Sequence, residues 1–220
     1  MNKDLVRYYQ DRAKEYDKIY LKPERQDDLK NATVLLQNIF ANKSVFEIAC
    51  GTGFWTEKIA QTSTSVFATD INKAVIDIAE QKGYPQNNVI FGLADIFNLS
   101  VDRQYESLFG GFIWSHIKLQ DLHKFLAAVN SAVLPGGTVV LMDSIFVEGS
   151  NHPITHTDPD GNTFQTRKLD DGTTHLVLKN FPSENFLQTT LAGMATEFTF
   201  IDLKYYWVLT YRTPAGKGGS

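Results

Sequence analysis

Short apolar runs alternate with amphipathic segments through the middle of the chain. The apolar runs have the length of strands, and they lie at 44–49, 65–69, 88–93, 107–114 and 138–146. Segments with the period of a helix separate most of them, at about 55–61, 73–82 and 119–133. Strands that alternate with helices form a parallel sheet with helices on both faces. The pattern therefore predicts an α/β fold around one mostly parallel sheet.

The chain before the first apolar run has helical periodicity. An aromatic residue recurs about once per turn within residues 3–20, which predicts an amphipathic helix with an aromatic stripe. Pro23 breaks this helix, and a second helix follows at about 27–40. Together the two helices predict an N-terminal helical cap over about residues 1–40.

The last third of the chain departs from the alternation of strands and helices. Alternating apolar and polar segments at 162–168 and 173–179 flank the run Leu169-Asp170-Asp171-Gly172. An Asp-Gly step between two such segments favours a tight turn. The sequence therefore predicts an inserted β-hairpin, placed as a lid within about residues 148–182.

Three elements and a tail follow the predicted hairpin. A helix is expected at about 183–195, with Ser183 as its N-cap. Two closely spaced strands at 197–203 and 205–212 are expected to pair antiparallel. The final residues, 214–220, have the composition of a linker and are predicted to be disordered.

Composition limits the class of protein. The 220 residues are 43% hydrophobic, which suits a single domain over residues 1–213. The formal net charge of -4 provides no general attraction for nucleic acid, and no apolar run is long enough to predict a membrane span or a secretion signal. The one cysteine, Cys50, lies in an apolar run and indicates a small core residue in a reducing compartment, which predicts a cytoplasmic protein.

The run from Val45 to Thr56 carries the strongest chemical signal, because an apolar strand leads through a Gly-x-Gly turn into a helix. Glycines at 51 and 53 allow a sharp turn and let a ligand approach the backbone. Asp70 ends the next strand, 19 positions after Gly51. An acid at about this spacing accepts hydrogen bonds from the ribose hydroxyls of a bound nucleotide.

Three details favour a cationic nucleoside over NAD or a flavin. The third glycine of the dinucleotide motif is absent, and Phe54 and Trp55 occupy the turn where a pyrophosphate needs open amides. Glu47, just before the turn, would repel a pyrophosphate but suits a sulfonium or an ammonium. Asp95 follows the next strand and can accept a hydrogen bond from an adenine amine.

Four motifs in this order resemble those of the class I S-adenosylmethionine-dependent methyltransferases that act on small molecules. They are Glu47-Ile48-Ala49-Cys50-Gly51-Thr52-Gly53, Thr69-Asp70-Ile71, Ala94-Asp95-Ile96 and Leu134-Pro135-Gly136-Gly137. The resemblance implies a Rossmann-like sheet of seven strands, the last of them antiparallel. It also implies S-adenosyl-L-methionine as cofactor and S-adenosyl-L-homocysteine as product.

The resemblance assigns cofactor contacts to particular residues of this chain. The residues are Tyr8, Arg12, Tyr16, Glu47, Ala49, Gly51, Gly53, Trp55, Asp70, Ile71, Asp95, Ile96 and Gly111. Simpler roles stay open for several of them. Asp70 could instead cap the N-terminus of the following helix. Lys43 or Lys73 could neutralise Glu47, and the tyrosines could pack on the core.

His116 is the candidate general base, because it follows the fourth strand and its side chain titrates near neutral pH. Capping the next helix or orienting the acceptor are alternative roles. N-methylating enzymes of the family that this chain resembles often carry an Asn-Pro-Pro-Tyr or Asp-Pro-Pro-Tyr motif in this region. Its absence here argues against nucleobase and glutamine amide acceptors. No set of carboxylates near Asp143 predicts a metal.

The predicted lid suggests the nature of the acceptor. It combines three histidines with Arg167, Lys168 and Lys179. These side chains favour a small polar acceptor, and a carboxylate is one such acceptor. The sequence therefore predicts an enzyme that methylates oxygen or nitrogen of a small molecule. A catalytically silent S-adenosylmethionine sensor is the alternative, and neither the acceptor nor the oligomeric state is specified.

Overall fold

A computed structural model describes residues 3–84, 87–99 and 104–216. In chain order its strands are β1 (Ser44–Ile48), β2 (Ser65–Asp70), β3 (Val89–Leu93), β4 (Tyr105–Gly111), β5 (Val133–Ser144), β6 (His156–Thr157), β7 (Thr163–Lys168), β8 (Thr174–Leu178), β9 (Thr196–Asp202) and β10 (Tyr206–Arg212). Its α-helices are α1 (Lys3–Arg12), α2 (Gln26–Phe40), α3 (Phe54–Ile59), α4 (Lys73–Ala79), α5 (Leu122–Ser131) and α6 (Glu184–Thr190).

Seven strands form the main sheet in the order β3-β2-β1-β4-β5-β10-β9. The first five are parallel, and β10 runs antiparallel between β5 and β9. The strand order reverses between β1 and β4, so their carboxyl ends open a crevice of the kind in which α/β proteins bind ligands. The predicted fold, a Rossmann-like seven-stranded sheet with its last strand antiparallel, is confirmed.

Helices cover both faces of this sheet. Apolar side chains of α5 and α6 pack with Phe46 and Ile48 on one face, and those of α2 and α3 pack with Val45 on the other. Successive residues of a strand point to opposite faces, and here both directions are buried. Burial on both faces explains why β1 appears in the sequence as a continuous apolar run.

The predicted insert forms a second, three-stranded antiparallel sheet in the order β6-β7-β8. The β7–β8 hairpin turns at the predicted Asp-Gly step, where Gly172 has a positive φ of 89°. Strand β6 was not predicted, since two residues are too short to show a period. The hairpin packs on α1, where Leu169 and Val177 are buried together with Leu5 and Tyr8.

Several predicted boundaries are corrected. The N-terminal helix is α-helical only to Arg12 and continues as a 3-10 helix over Ala13–Leu21. Three residues per turn place Tyr16 and Ile19 on the same side, where both line a cavity. Strand β5 begins at Val133, so the Leu-Pro-Gly-Gly segment lies inside the strand rather than before it.

At the carboxyl-terminal end, Ser183 caps α6 as predicted, because its Oγ accepts a hydrogen bond of 3.2 Å from the Phe186 amide. The helix itself ends at Thr190, five residues before the predicted limit. Of the tail predicted to be disordered, residues 214–216 have no regular secondary structure and residues 217–220 lie outside the described residues.

Gly53 begins α3 in a conformation that excludes a side chain, which gives a stability prediction. Its φ is 79°, and an added Cβ would lie 2.7 Å from Tyr84 Oη and 2.9 Å from Ala79 Cβ. Gly136 has a similar φ of 72° but no heavy atom of the described residues within 4 Å of its Cβ position. We expect Gly53→Ala to lower the free energy of urea unfolding by about 2–4 kcal/mol and Gly136→Ala by about 1 kcal/mol. If the two variants lost equal stability, the positive φ of each glycine, and not the contacts of the added Cβ, would account for the loss.

Candidate active site

A first cavity opens at the carboxyl ends of β1, β2 and β4, underneath helix α1. Its volume is about 540 Å³, including the open mouth. Seven residues identified from the sequence line it, namely Tyr16, Ala49, Gly51, Asp70, Ile71, Gly111 and His116. The others were not predicted as site residues: Leu5, Val6, Tyr9, Asn72, Val75, Phe112 and Ile113. The cavity thus joins the glycine turn to the N-terminal helical segment, and of the N-terminal residues predicted to contact the cofactor it includes Tyr16.

The Asp70 carboxylate organises the floor of this cavity. Its Oδ2 accepts a hydrogen bond of 3.0 Å from the Gly51 amide, and its Oδ1 accepts one of 2.9 Å from the Asn72 amide. Burial raises the pKa of Asp70, and these backbone donors oppose the rise. Asp70 is not the N-cap of α4, because the Asn72 side chain accepts the Ala74 amide in that role. Asp70 lies in the cavity wall, so its predicted contact with a ribose stays a prediction that the geometry permits.

A second cavity of about 650 Å³ lies beside the first. The two share a wall made by Tyr9, Tyr16, Phe112 and His116. Among the described residues, five cationic side chains and no carboxylate line the second cavity: Arg12, Lys22, Arg25, Arg167 and Lys179. The first three come from the N-terminal segment and the last two from the insert. Like charges repel each other, so a bound anion would lower the electrostatic energy of these five side chains.

The partners of these cations are mostly neutral. Arg25 is 6% exposed and donates to Ser150 Oγ at 2.8 Å and to the Ser150 carbonyl at 3.1 Å. Arg167 donates to Gln165 Oε1 at 2.8 Å. Among the described residues, no carboxylate lies within ion-pair distance of Arg12, Arg25 or Arg167. Guanidinium groups held by neutral acceptors keep their charge available to a ligand.

Lys179 is the exception, because a carboxylate lies behind it. The Lys179 ammonium is buried and donates to Asp143 Oδ1 at 2.7 Å and to Ser115 Oγ at 2.6 Å. Asp143 is itself fully buried and accepts the Ser115 amide at 2.9 Å. Burial lowers the pKa of Lys179, and Asp143 opposes that change. The pair fixes the end of the insert against the end of β5.

His116 and Tyr9 form a hydrogen-bonded pair in the shared wall. The Leu178 carbonyl lies 2.6 Å from His116 Nδ1 and can only accept, so Nδ1 carries the proton. The bare Nε2 then accepts a hydrogen bond of 2.6 Å from the Tyr9 hydroxyl. Burial raises the pKa of Tyr9 far above its ordinary value, so this hydroxyl keeps its proton. The tautomer assigned to His116 follows from these two contacts.

His116 is expected to stay neutral under mildly acidic conditions. Burial lowers its pKa well below the ordinary value, and the positive charges of Lys179 and Arg167 add to the effect. An unfolded chain binds a proton at this position near pH 6.5, whereas the folded one does not. Unfolding near pH 6 therefore takes up a proton, so this group lowers stability as the pH falls. Nitrogen-15 NMR of histidine-labelled protein should show the Nδ1–H tautomer at pH 6, and an imidazolium signal there would contradict the assignment.

A third, small cavity of about 260 Å³ lies under the glycine turn. It contains Glu47, which is 1% exposed and whose Oε2 has no hydrogen-bond partner. Burial raises the pKa of Glu47 to about 8. Trp55 lines the same cavity, and its Nε1 is also unpartnered. The proposed neutralisation by Lys73 is not seen, because that lysine pairs with Asp77 at 2.5 Å.

The other residues that the sequence assigned to the cofactor site lie outside the lining of the first cavity. Tyr8 packs in the α1–hairpin core, and Arg12 lines the second cavity with its guanidinium over the rings of Tyr8 and Tyr16. Gly53 begins α3 at the back of the turn. Asp95 lines an open cleft on the other side of His116, and the neighbouring Ile96 is buried in the core.

Sequence and structure comparisons agree on the class of this fold. Residues 45–137 match the family described as a methyltransferase domain. Two solved structures, titled "DhpI-SAH complex structure" and "DhpI-SAM-HEP complex", are 26% and 25% identical to this chain. Each has a TM-score of 0.79 and covers 96% of this chain, and the match spans 96% and 99% of theirs.

A sequence relative with an assigned activity matches a shorter region. "Phosphoethanolamine N-methyltransferase 1" from Triticum aestivum is 26% identical over 111 residues, which is 49% of this chain. The matched region spans only 22% of that enzyme's length.

These findings show a methyltransferase domain at residues 45–137 in a Rossmann-like methyltransferase fold, and they are consistent with the class I S-adenosylmethionine-dependent methyltransferase that the four motifs predicted. The cofactor of this class is S-adenosylmethionine, and the residues fit it. The buried, unpartnered Glu47 Oε2 suits its cationic amino acid end, and Asp70 suits its ribose. Within the described residues, no helix has the length and apolar character needed to cross a bilayer.

Proposed function

We propose that this protein transfers the methyl group of S-adenosylmethionine to an oxygen of a small anionic molecule held in the second cavity. The observation that carries the proposal is the wall shared by two cavities of different character. One cavity has the glycine turn and Asp70, and the other has five cations and no carboxylate in its lining. Cofactor and acceptor would therefore meet at Tyr9, Tyr16, Phe112 and His116.

The charge of the second cavity favours an oxyanion over an amine. An acceptor amine must be unprotonated to attack, but in its ammonium form it would be repelled by the five cations. A carboxylate, phosphate or phosphonate would pair with Arg25, Arg167 and Lys179 through charge-assisted hydrogen bonds. The wheat relative's name refers to an N-methyltransferase, so the proposed acceptor atom differs from the one in that name.

Methyl transfer from a sulfonium is an in-line displacement, and the bound cofactor supplies the methyl group and the leaving thioether. The chain's own residues supply position and a dry environment. Arg25, Arg167 and Lys179 would hold the acceptor, and Phe112 would exclude water at the shared wall. An anionic oxygen carries no proton to remove, so its methylation needs no base. The role of His116 would then be to hold the Tyr9 hydroxyl in place through their hydrogen bond. For an acceptor hydroxyl, His116 Nε2 would act as the base only if that hydroxyl replaced Tyr9 as its hydrogen-bond donor, and burial, which lowers the pKa of His116, would make it a weak base.

The cap and the insert would then close over the two ligands. We assign the N-terminal segment of residues 1–40 and the insert of residues 148–182 to one methyltransferase domain over residues 1–213, working in the cytoplasm. The cap carries Tyr9 and Arg12, and the insert carries Arg167 and Lys179. Each segment thus contributes cations to the second cavity, and the two segments pack against each other.

The test is transfer of label from methyl-labelled S-adenosylmethionine to a panel of small molecules. We expect label in carboxylates, phosphates or phosphonates, and none in primary amines of similar size. Base lability would identify a methyl ester. Label in amines alone would contradict an oxyanion acceptor, and binding of S-adenosylhomocysteine without any transfer would favour the sensor.

Two arginine variants make the test specific to the second cavity. Arg167→Met removes a charge from its lining, and Arg7→Met removes one from an exposed pair with Asp11. We expect Arg167→Met to reduce kcat/KM for the acceptor by about 10- to 100-fold, through loss of a charge-assisted contact. Affinity for S-adenosylhomocysteine should be unchanged in both. Equal activity of the two variants would remove Arg167 from the acceptor site.

A further inference from the structure

Four of the five cations of the second cavity form two pairs. In the first pair, the guanidinium groups of Arg12 and Arg167 both lie over the ring of Tyr8, at 5.7 and 5.9 Å from its centroid. Arg12 also lies 5.1 Å from the ring centroid of Tyr16, which belongs to the wall shared with the first cavity. The first pair is therefore beside the place where the two cavities meet.

The second pair is Lys22 and Arg25, which both donate to the Ser150 carbonyl, at 2.6 and 3.1 Å. The carboxylates close to this pair have other partners. Glu24 accepts the Ser150 hydroxyl at 2.9 Å, and Asp28 accepts a backbone amide at 2.6 Å. Neither carboxylate lines the cavity. Two like charges that share one neutral partner repel each other, so this pair also favours an anionic group.

A 3-10 helix separates the two pairs. Arg12 precedes the helix Ala13–Leu21, and Lys22 follows it. At a rise of about 2 Å per residue, the backbones of these two residues are about 20 Å apart. Tyr16 and Ile19 of that helix line the cavity between them, where they suit a carbon chain. A single anionic group seated at one pair thus leaves the charge of the other pair unbalanced.

The fifth cation, Lys179, does not form a third anion site, because Asp143 at 2.7 Å balances its charge. Its ammonium can donate a hydrogen bond to an acceptor without adding net charge to the cavity. The uncompensated charge of the second cavity is therefore divided between two places. Each place has two cationic donors, the number that a carboxylate, phosphate or phosphonate pairs with through two of its oxygens.

Resting on the proposed function, we propose that the acceptor carries two anionic groups joined by a carbon chain. The group at Arg12 and Arg167 receives the methyl group, and the group at Lys22 and Arg25 anchors the other end. A lone pair on an oxygen of the first group forms the new O–C bond as the bond between the methyl carbon and sulfur breaks, and the electron pair of that bond stays on sulfur. No proton is transferred, and the product keeps its second anionic group.

The test compares acceptors that differ by one charge. The full chain is incubated with methyl-labelled S-adenosylmethionine and with unbranched dicarboxylates and phosphonocarboxylates of increasing length. Each is paired with its half-amide, in which a neutral amide of the same shape replaces one carboxylate. We expect the best diacid to be methylated once, with kcat/KM about 10- to 100-fold above that of its half-amide, because the amide loses charge-assisted hydrogen bonds.

The two ways in which this test can fail are distinguishable. Half-amides or simple monocarboxylates that react as well as the diacids would overturn the inference of a second anionic group and leave the proposed function in place. Absence of label in every anionic acceptor would instead overturn the proposed function.

Lys22→Met makes the test specific to the anchoring pair, and Lys30→Met, which removes an exposed charge from α2, is its control. We expect Lys22→Met to reduce the advantage of the diacid over its half-amide about tenfold, through loss of one charge-assisted contact. Lys30→Met should keep the ratio of the wild type. The wild-type ratio in Lys22→Met would overturn the assignment of the anchoring pair. Titration with S-adenosylhomocysteine confirms that each variant is folded, and the comparison of acceptors depends on neither variant.

Discussion

Lys179→Met is expected to lower the free energy of unfolding by about 3–5 kcal/mol, because it leaves the charge of Asp143 buried and unpaired. Asp143 is fully buried, and the Lys179 ammonium at 2.7 Å is its partner cation among the described residues. Methionine has a similar length and fits the space, so the loss comes from charge rather than from a cavity. Urea unfolding followed by circular dichroism measures it.

A double variant separates this charge effect from general damage. Asp143→Asn removes the stranded charge, and its side-chain oxygen can still accept an amide such as that of Ser115, which Asp143 accepts at 2.9 Å. We expect Lys179→Met/Asp143→Asn to be more stable than Lys179→Met alone by at least about 1 kcal/mol. If the double variant is less stable, the unpaired charge is not the cause.

Asp70→Asn is expected to weaken binding of S-adenosylhomocysteine by about 10- to 100-fold, which corresponds to about 1–3 kcal/mol. The carboxylate receives the Gly51 and Asn72 amides and faces the first cavity. An amide of the same shape has one acceptor oxygen instead of two, so it cannot serve the turn and the ribose hydroxyls together. Isothermal titration measures the change.

The matched control for this variant is Asp77→Asn, which makes the same chemical change on the exposed face of α4. Asp77 pairs with Lys73 on the surface, and such pairs contribute little to stability. We expect its affinity for S-adenosylhomocysteine to equal that of the wild type. Unchanged affinity in Asp70→Asn would remove the ribose role from this residue.

The parts of the site that follow strands could be predicted because their signals are local. Burial on both faces makes β1 and β2 continuous apolar runs, and the residues that end such strands, Gly51 and Asp70, necessarily meet at one edge of the sheet. The register confirms this, since Ile48 of β1 lies opposite Thr69 of β2. The spacing of these residues along the chain was therefore sufficient to predict that they lie together.

The acceptor side could not be predicted in the same way, because its residues are brought together by contacts distant in sequence. Tyr9 and His116 are 107 positions apart, and Arg25 contacts a serine 125 positions away. A one-residue step on a helix turns a side chain by about 100°, which decides that Tyr9 rather than Tyr8 lines the cavities. Packing of α1 on the hairpin sets that rotation, and no local pattern encodes it.

The two cavities have different origins in the chain, and this separation bears on how such an enzyme diversifies. The first cavity is lined by the segments at the carboxyl ends of β1, β2 and β4 together with the N-terminal segment, whereas the cations of the second cavity come from the N-terminal segment and the insert. If the proposed function holds, substitutions of the insert's cations would change which acceptor is bound and leave the residues at the strand ends that face the first cavity unaltered. On that proposal, grafting the N-terminal segment and the insert together onto a related sheet would transfer the acceptor preference with them.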